Sequence, residues 1–259
     1  MTEQTRSSGG GQTSFAAKWG RRIATAGLVL AAVCALAAMF SGFGYQMDLW
    51  HFRTGFLILR WAFFGALAAA VISVLGMVLG RFGRAAALPG ITGLVIALAF
   101  AYVPWQWKQT LDSVPYIHDI TTDTENPPEF VAAAKLRKEG DHPVAYDGPE
   151  VAAKQKEAFP DLAPFITEAP KDKVLEAAQA ALTAIGLKLS DTNPAEGRIE
   201  ATHTSFWYGF TDDVVVRIAE GPEGTRVDVR SKSRVGRSDL GQNANRIRAF
   251  LAKLKAELG

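Results

Sequence analysis

Over the first 107 residues the apolar positions run in blocks rather than in stripes. Three windows, 23–47, 61–80 and 85–107, contain no Asp, Glu, Lys or Arg and are 25, 20 and 23 residues long. About 20 apolar residues span the hydrocarbon core of a bilayer. The windows therefore predict three transmembrane helices, near 23–43, 56–79 and 86–105. Tyr45, Trp50, Phe52 and Trp61, and then Tyr102, Trp105 and Trp107, fall where headgroups meet acyl chains, the level that amphipathic rings favour.

From Lys108 onward the pattern shortens. Residues 108–147 read as a connector, in which Pro115 and the run HDITTDTENPP favour extended and turn structure. Asn126-Pro127 predicts the start of a short helix reaching about Lys138. Gly140 to Pro143 breaks it, and Asp147-Gly148-Pro149 opens a second helix that ends at Pro160.

Residues 148–259 read as a compact domain. Phe165-Ile166-Thr167 is a short strand. A helix from Pro170 places Val174, Leu175, Ala178, Leu182 and Ile185 on one face and is closed by Gly186. Strands follow at 187–190, 198–205, 213–219 and 225–232, with NPAEG and GPEG as the first and last turns between them. A final helix carries Leu240, Ala244, Ile247, Leu251, Leu254 and Leu258 as one apolar stripe.

The expected order is β-α-β-β-β-β-α, an α+β two-layer domain with an antiparallel sheet, behind three transmembrane helices. Strand alternation sets Ile199, Ala201, Val214, Val216, Ile218, Val227 and Val229 towards the helices. Arg198, Glu200, Thr202, Arg217, Arg226, Asp228, Arg230 and Lys232 face the other way, and read as a solvated grid of cross-strand ion pairs.

Charge separates the two halves. The first 107 residues hold eight Lys/Arg and two Asp/Glu, and the remainder holds twenty and twenty-four, a net of 20 − 24 = −4. An acidic domain argues against nucleic acid, which needs a basic footprint. Arg6, Lys18, Arg21 and Arg22 flank the first span and Arg81 and Arg84 the second loop, against Arg53 alone, beside Asp48, in the first loop. The positive-inside rule makes 1–22 a cytoplasmic tail and 23–107 an uncleaved anchor. In a bacterial inner membrane the C-terminal domain is then periplasmic. Arg60, early in the second span beside Trp61, reads as snorkelling to the interface, with a buried pairing role as the alternative. Cys34 is the single cysteine, so neither an intramolecular disulfide nor a CxxC pair exists.

Four stretches, DGPE, FPDL, GRIEATHTSFWYGFTDDVVVRI and VDVRSKSRVGRSDLGQNANRIRAFL, resemble the family termed domain of unknown function 1499. IHDITTDTENPPEF resembles members with membrane spans before that domain. The resemblance implies occurrence in bacteria and plastids and no particular reaction. Its signature falls on Asp212, Asp213, Arg230, Ser231, Ser233, Arg234, Gly236, Asp239, Gly241, Asn243 and Arg246. A cysteine-bearing motif that precedes the domain in some members is missing here.

Two clusters deserve chemical weighing. Asp212 and Asp213 are strand neighbours and point to opposite faces, which suits structural ion pairing better than joint acid–base work. Asp212, on the helix side, is expected to pair with Arg234 or Arg246. Ser238-Asp239 precedes the last helix, and Asp239 with Gln242 fits a capping box. Its rival is an anion or partner site made by Arg230, Arg234, Arg237, Asp239, Asn243 and Arg246 at that helix start. His118, Asp119 and Asp123 lack the spacing of a metal site, and His203 near Asp212 reads more readily as a core-edge histidine than as a general base. No cofactor or metal is expected. The reading favours an envelope protein that binds or scaffolds, with the bilayer and an envelope protein or anionic lipid as partners. The alternatives are an envelope hydrolase or transferase using Asp212, Asp213 and the arginine cluster, and a structural subunit of a membrane complex.

Overall fold

The computed structural model describes residues 9–259, with side chains from Phe15 onward; Arg6 and the first part of the N-terminal tail lie outside the described residues. The chain divides into two compact units. One comprises the residues up to Gln109 together with Trp207–Gly209, and the other comprises Thr110–Phe206 and Phe210–Gly259.

The first unit is built from α1 (Gly9–Gln46), α2 (Phe52–Leu79) and α3 (Arg84–Ser113). All three are long and apolar enough to cross a membrane. Their packing uses small residues, because helices in lipid gain from close backbone approach rather than from burying apolar surface. A methyl group added at Gly76 would lie 2.2 Å from the Ala24 nitrogen, and one at Gly20 would lie 2.2 Å from the Gly80 nitrogen. Ala24, Ala31, Cys34 and Ala38 on α1 and Ala62, Ala66 and Ala69 on α2 are all buried. The larger apolar side chains point outward: Val29, Val33, Phe40, Leu57, Trp61, Val71, Ile91 and Val95 are exposed, as lipid-facing residues should be. Arg60 is also exposed on α2.

The second unit is a six-stranded antiparallel sheet of β1 (Asp119–Thr121), β2 (Phe165–Thr167), β3 (Lys188–Asn193), β4 (Arg198–Thr204), β5 (Thr211–Gly221) and β6 (Gly224–Ser233). The order is β1-β6-β5-β4-β3, and β2 also pairs with β6, along its first half. Two helices, α6 (Lys171–Ala184) and α7 (Gln242–Leu258), cover one face. Between sheet and helices lies the core, with Ile120, Val174, Leu182, Ile199, Val214, Val216, Ile218, Val227, Val229, Ile247 and Leu254 all at 2 % exposure or less. This is the face that strand alternation predicts.

The opposite face departs from expectation. Glu200, Asp213, Asp228, Arg230 and Lys232 are buried there rather than solvated. The cover is the segment that the sequence suggests is a connector. It contributes β1, which pairs with β6 in the register Asp119↔Lys232 and Thr121↔Arg230, and two short helices, α4 (Ala132–Leu136) and α5 (Pro149–Ala158). α4 starts well after Asn126-Pro127. Its first turn is set from across the fold, because the Glu200 carboxylate accepts from the Val131, Ala132 and Ala133 N–H groups at 2.8, 2.9 and 2.8 Å. Phe130, Ala133 and Val144 then close over Val215, the apolar residue in the middle of the charged face.

Candidate functional site

The polar residues sort into two networks, one on each side of the sheet. Beneath the α4 segment, Arg230 donates from Nε and a terminal nitrogen to the two Asp119 oxygens, both at 2.8 Å. Its remaining donors reach the Pro128 and Val144 carbonyls at 3.1 and 2.9 Å, and its guanidinium lies over the Phe130 and Tyr146 rings. Lys232 sits beside it, 3.1 Å from Asp119 and 2.7 Å from Asp147. A planar guanidinium matches a carboxylate in two parallel bonds, which is why arginine rather than lysine makes the central pair. Burial, with Asp119 nearby, pushes the Tyr146 hydroxyl up to about 12.

Further along the same face Asp213 is fully buried between two arginines. Arg234 approaches it at 2.8 Å and Arg137 at 2.9 Å. A third group holds Arg217 and Arg226 against Asp228 and Asp123. His118 and His142 stack with their centroids 4.1 Å apart, and His142 Nε2 lies 2.7 Å from the Gly236 carbonyl, tying the covering segment to the turn after β6. Burial, reinforced by the neighbouring His142, lowers the His118 pKa. Asp119 and Asp123 are thus occupied by arginines and a lysine, and no cluster of metal-ligating side chains occurs among the described residues.

On the helix side, Asp212 receives Arg246 at 2.7 Å. Of the two partners expected for it, Arg246 from α7 is the one in contact, and Arg234 belongs to Asp213 on the other face. Arg246 also donates to Ser231 Oγ at 3.0 Å and to the Asn243 side-chain oxygen, and lies 3.4 Å from His203 Nδ1. Asn243 is fully buried; it takes a hydrogen bond from Ser231 and gives two, to Ser233 Oγ and the His118 carbonyl. His203 lies directly opposite Asp212 in the β4–β5 register, and burial, followed by the Arg246 charge, lowers its pKa.

Asp239 caps α7, though not as a capping box. The N-cap position is Gly241 at φ 76°, preceded by Leu240 at φ 57°. This left-handed pair turns the chain so that the Asp239 oxygens accept from the Gly241 and Asn243 N–H groups, each at 2.8 Å, while Gln242 bonds back only through its backbone. Burial raises the Asp239 pKa against the pull of those two N–H groups. The arginines expected to converge at this helix start therefore do not: Arg230 and Arg234 lie on the far face of the sheet. Arg237, at the turn, is exposed and is the member of the cluster with no carboxylate against it among the described residues.

The sequence profile of the family described as "Protein of unknown function (DUF1499)" matches residues 119–254. That is just over half of the chain. The chain belongs to this family. The DUF1499 match begins at the first residue of β1 and includes the whole covering segment, so the family domain contains both polar networks. No curated protein and no solved structure matches the chain.

Sequence patterning does not reveal the partners of several residues central to these networks. Arg137 falls in no motif, Asp147 and Glu200 lie in stretches that resemble the family without belonging to its signature positions, and Asp119 carries no expected role beyond that of a weak metal ligand. The available signal was the period of β1, in which Asp119 and Thr121 flank Ile120 as polar residues flank an apolar one in a half-buried strand. A cavity of about 250 Å³ bordered by Thr122, Gln155, Lys156, Phe159 and Pro164 contains none of the signature side chains.

Proposed function

We propose that this chain is an inner-membrane protein of the bacterial cell envelope, whose DUF1499 domain lies on the periplasmic side and serves as a binding or scaffolding module. The observation that carries this reading is the use of the signature charges. Arg230, Arg234 and Arg246 are each matched to a carboxylate within the domain, and Asp239 caps a helix. Groups committed in this way hold the fold rather than wait for a substrate. Arg237, exposed at the turn, is the residue best placed to meet an envelope protein or an anionic lipid. Lys/Arg flanking the spans support a cytoplasmic N-terminus.

A reporter enzyme active only in the periplasm, fused after Gly259, tests the orientation. Activity there is expected; activity only from a cytoplasmic reporter at the same position would reverse it.

A second reading, an envelope hydrolase or transferase, is favoured by one observation. Asp212, Arg246 and His203 meet at the edge of the helix-side network, where burial and the Arg246 charge favour the neutral form of the His203 imidazole. Under that reading Asp212 and Arg246 would be held for chemistry rather than for the fold.

A further inference from the structure

The β4–β5 connection reads Ser205-Phe206-Trp207-Tyr208-Gly209-Phe210, and its three central residues belong to the helical unit. Trp207 donates from Nε1 to the Met39 carbonyl at 2.9 Å, and its own carbonyl accepts from Gln46 Nε2 at 2.7 Å. The Tyr208 hydroxyl lies 3.0 Å from Ser41 Oγ, with its ring 5.0 Å from that of Phe56. The Trp107 ring of α3 lies 5.3 Å from that of Trp207, tilted by 47°.

The helices are shaped to receive these rings. A methyl group at Gly42 would come 2.5 Å from the Trp207 indole, and one at Gly55 would come 3.1 Å from the Tyr208 ring. Gly209, at φ 66°, lets the tip turn back against Gln46, where a side chain would collide at 2.7 Å. Met39 lies seven residues inside the C-terminal end of α1, about 10 Å along the helix axis. It belongs to the charge-free run, and with its neighbour Phe40 it is exposed. Lipid therefore reaches the level at which Trp207 is held.

Phe206 is one peptide bond from Trp207 and is 87 % exposed, the most exposed large apolar side chain described. An exposed phenylalanine beside a docked Trp-Tyr pair, at the aromatic level of three spans, matches the composition that anchors protein segments in the membrane interface. From this geometry we infer that the Phe206–Tyr208 tip is a bilayer-interface anchor: Trp207 and Tyr208 fill the helix socket and Phe206 inserts into the headgroup–acyl boundary. The partner is the lipid bilayer itself.

The test is a depth measurement by spin labelling of the full chain in liposomes of phosphatidylethanolamine and phosphatidylglycerol. Cys34→Ser supplies a cysteine-free background, into which Phe206→Cys or, as the aqueous control, Glu223→Cys in the β5–β6 turn is introduced. The expected result is an oxygen-to-nickel accessibility ratio several-fold higher at 206 than at 223. Equal ratios at the two positions, or a label at 206 shielded from both reagents, would overturn the inference. Circular dichroism of both labelled chains, matching the unlabelled protein, shows that the comparison is between folded molecules.

Discussion

Replacing Arg230 by methionine removes the centre of the covered network while keeping the length of the side chain. In the native domain Arg230 is 2 % exposed, gives two bonds of 2.8 Å to Asp119, two more to backbone carbonyls, and lies over the Phe130 and Tyr146 rings. The variant leaves Asp119 fully buried with Lys232, at 3.1 Å, as its remaining cation. Removing one partner of a buried pair costs about 3–5 kcal/mol, chiefly because the other charge stays without its match. For a unit of about 150 residues, at about 2–4 °C per kcal/mol, the melting temperature should fall by roughly 10 °C.

The loss should also be local. β1 is held to β6 by three residue pairs, and Arg230 is opposite Thr121 in that register. Hydrogen exchange of the Ile120 to Thr122 amides should therefore accelerate before that of β5. Thermal unfolding by circular dichroism, paired with exchange mass spectrometry, reads both effects. Combining Arg230→Met with Asp119→Leu removes both charges and should recover part of the stability, since apolar replacement of a buried pair is often neutral and Lys232 keeps Asp147 at 2.7 Å. A fall of less than about 2 °C in the single variant, with β1 still protected, would refute the idea that Arg230 clamps the covering segment.

Two further outcomes follow from other parts of the fold. His118 and His203 have folded-state pKa values below 6.5, so between 6.5 and those values the unfolded chain binds more protons than the native one. Stability is then complete above pH 6.5 and is lost as pH falls, by up to about 1.4 kcal/mol per pH unit for each histidine; melting curves at pH 7.5 and 5.5 should differ less in the His118→Gln, His203→Gln double variant than in the native protein. In the helical unit, Gly76→Ile places a branched side chain where even a methyl lies 2.2 Å from the Ala24 nitrogen, and should separate α1 from α2. Cys34, buried against the Gly65 surface, should then react with a maleimide that leaves the native protein unlabelled.

How much of this was legible depended on the range of the interactions involved. The three spans are a matter of local composition, and a run of 20 or more apolar residues needs no partner to be recognised. The helix-facing side of the sheet was also legible, because alternation at Ile199-Ala201 and Val214-Val216-Ile218 is a property of each strand alone. The charged side was assigned correctly by parity and wrongly by environment. Alternation says that Arg230 and Lys232 turn away from the helices, and says nothing of what they turn towards. The answer lies 111 residues earlier, at Asp119. α4 was misplaced for the same reason: its N-terminal donors are satisfied by Glu200, 67 to 69 residues away, rather than by a local cap. At α7 the error was geometric. The spacing of Asp239 and Gln242 suits a capping box, but Leu240 and Gly241 are both left-handed, which moves the start of the helix and hands the Asp239 bonds to Gly241 and Asn243. The docking of Trp207 and Tyr208 onto α1 spans more than 160 residues and left no periodic trace at all.

The central claim is that the signature charges of this domain hold the fold rather than perform chemistry, and the Asp212–Arg246 pair is where the two readings diverge most. A double-mutant cycle of Asp212→Asn and Arg246→Met, followed by equilibrium unfolding, addresses it directly. A structural pair, supported by Ser231 and Asn243, predicts that each single variant is destabilised and that the coupling is about 1–3 kcal/mol. Charges kept for catalysis are commonly retained at a cost to stability. Single variants as stable as the native protein or more so, with no coupling between them, would contradict the account.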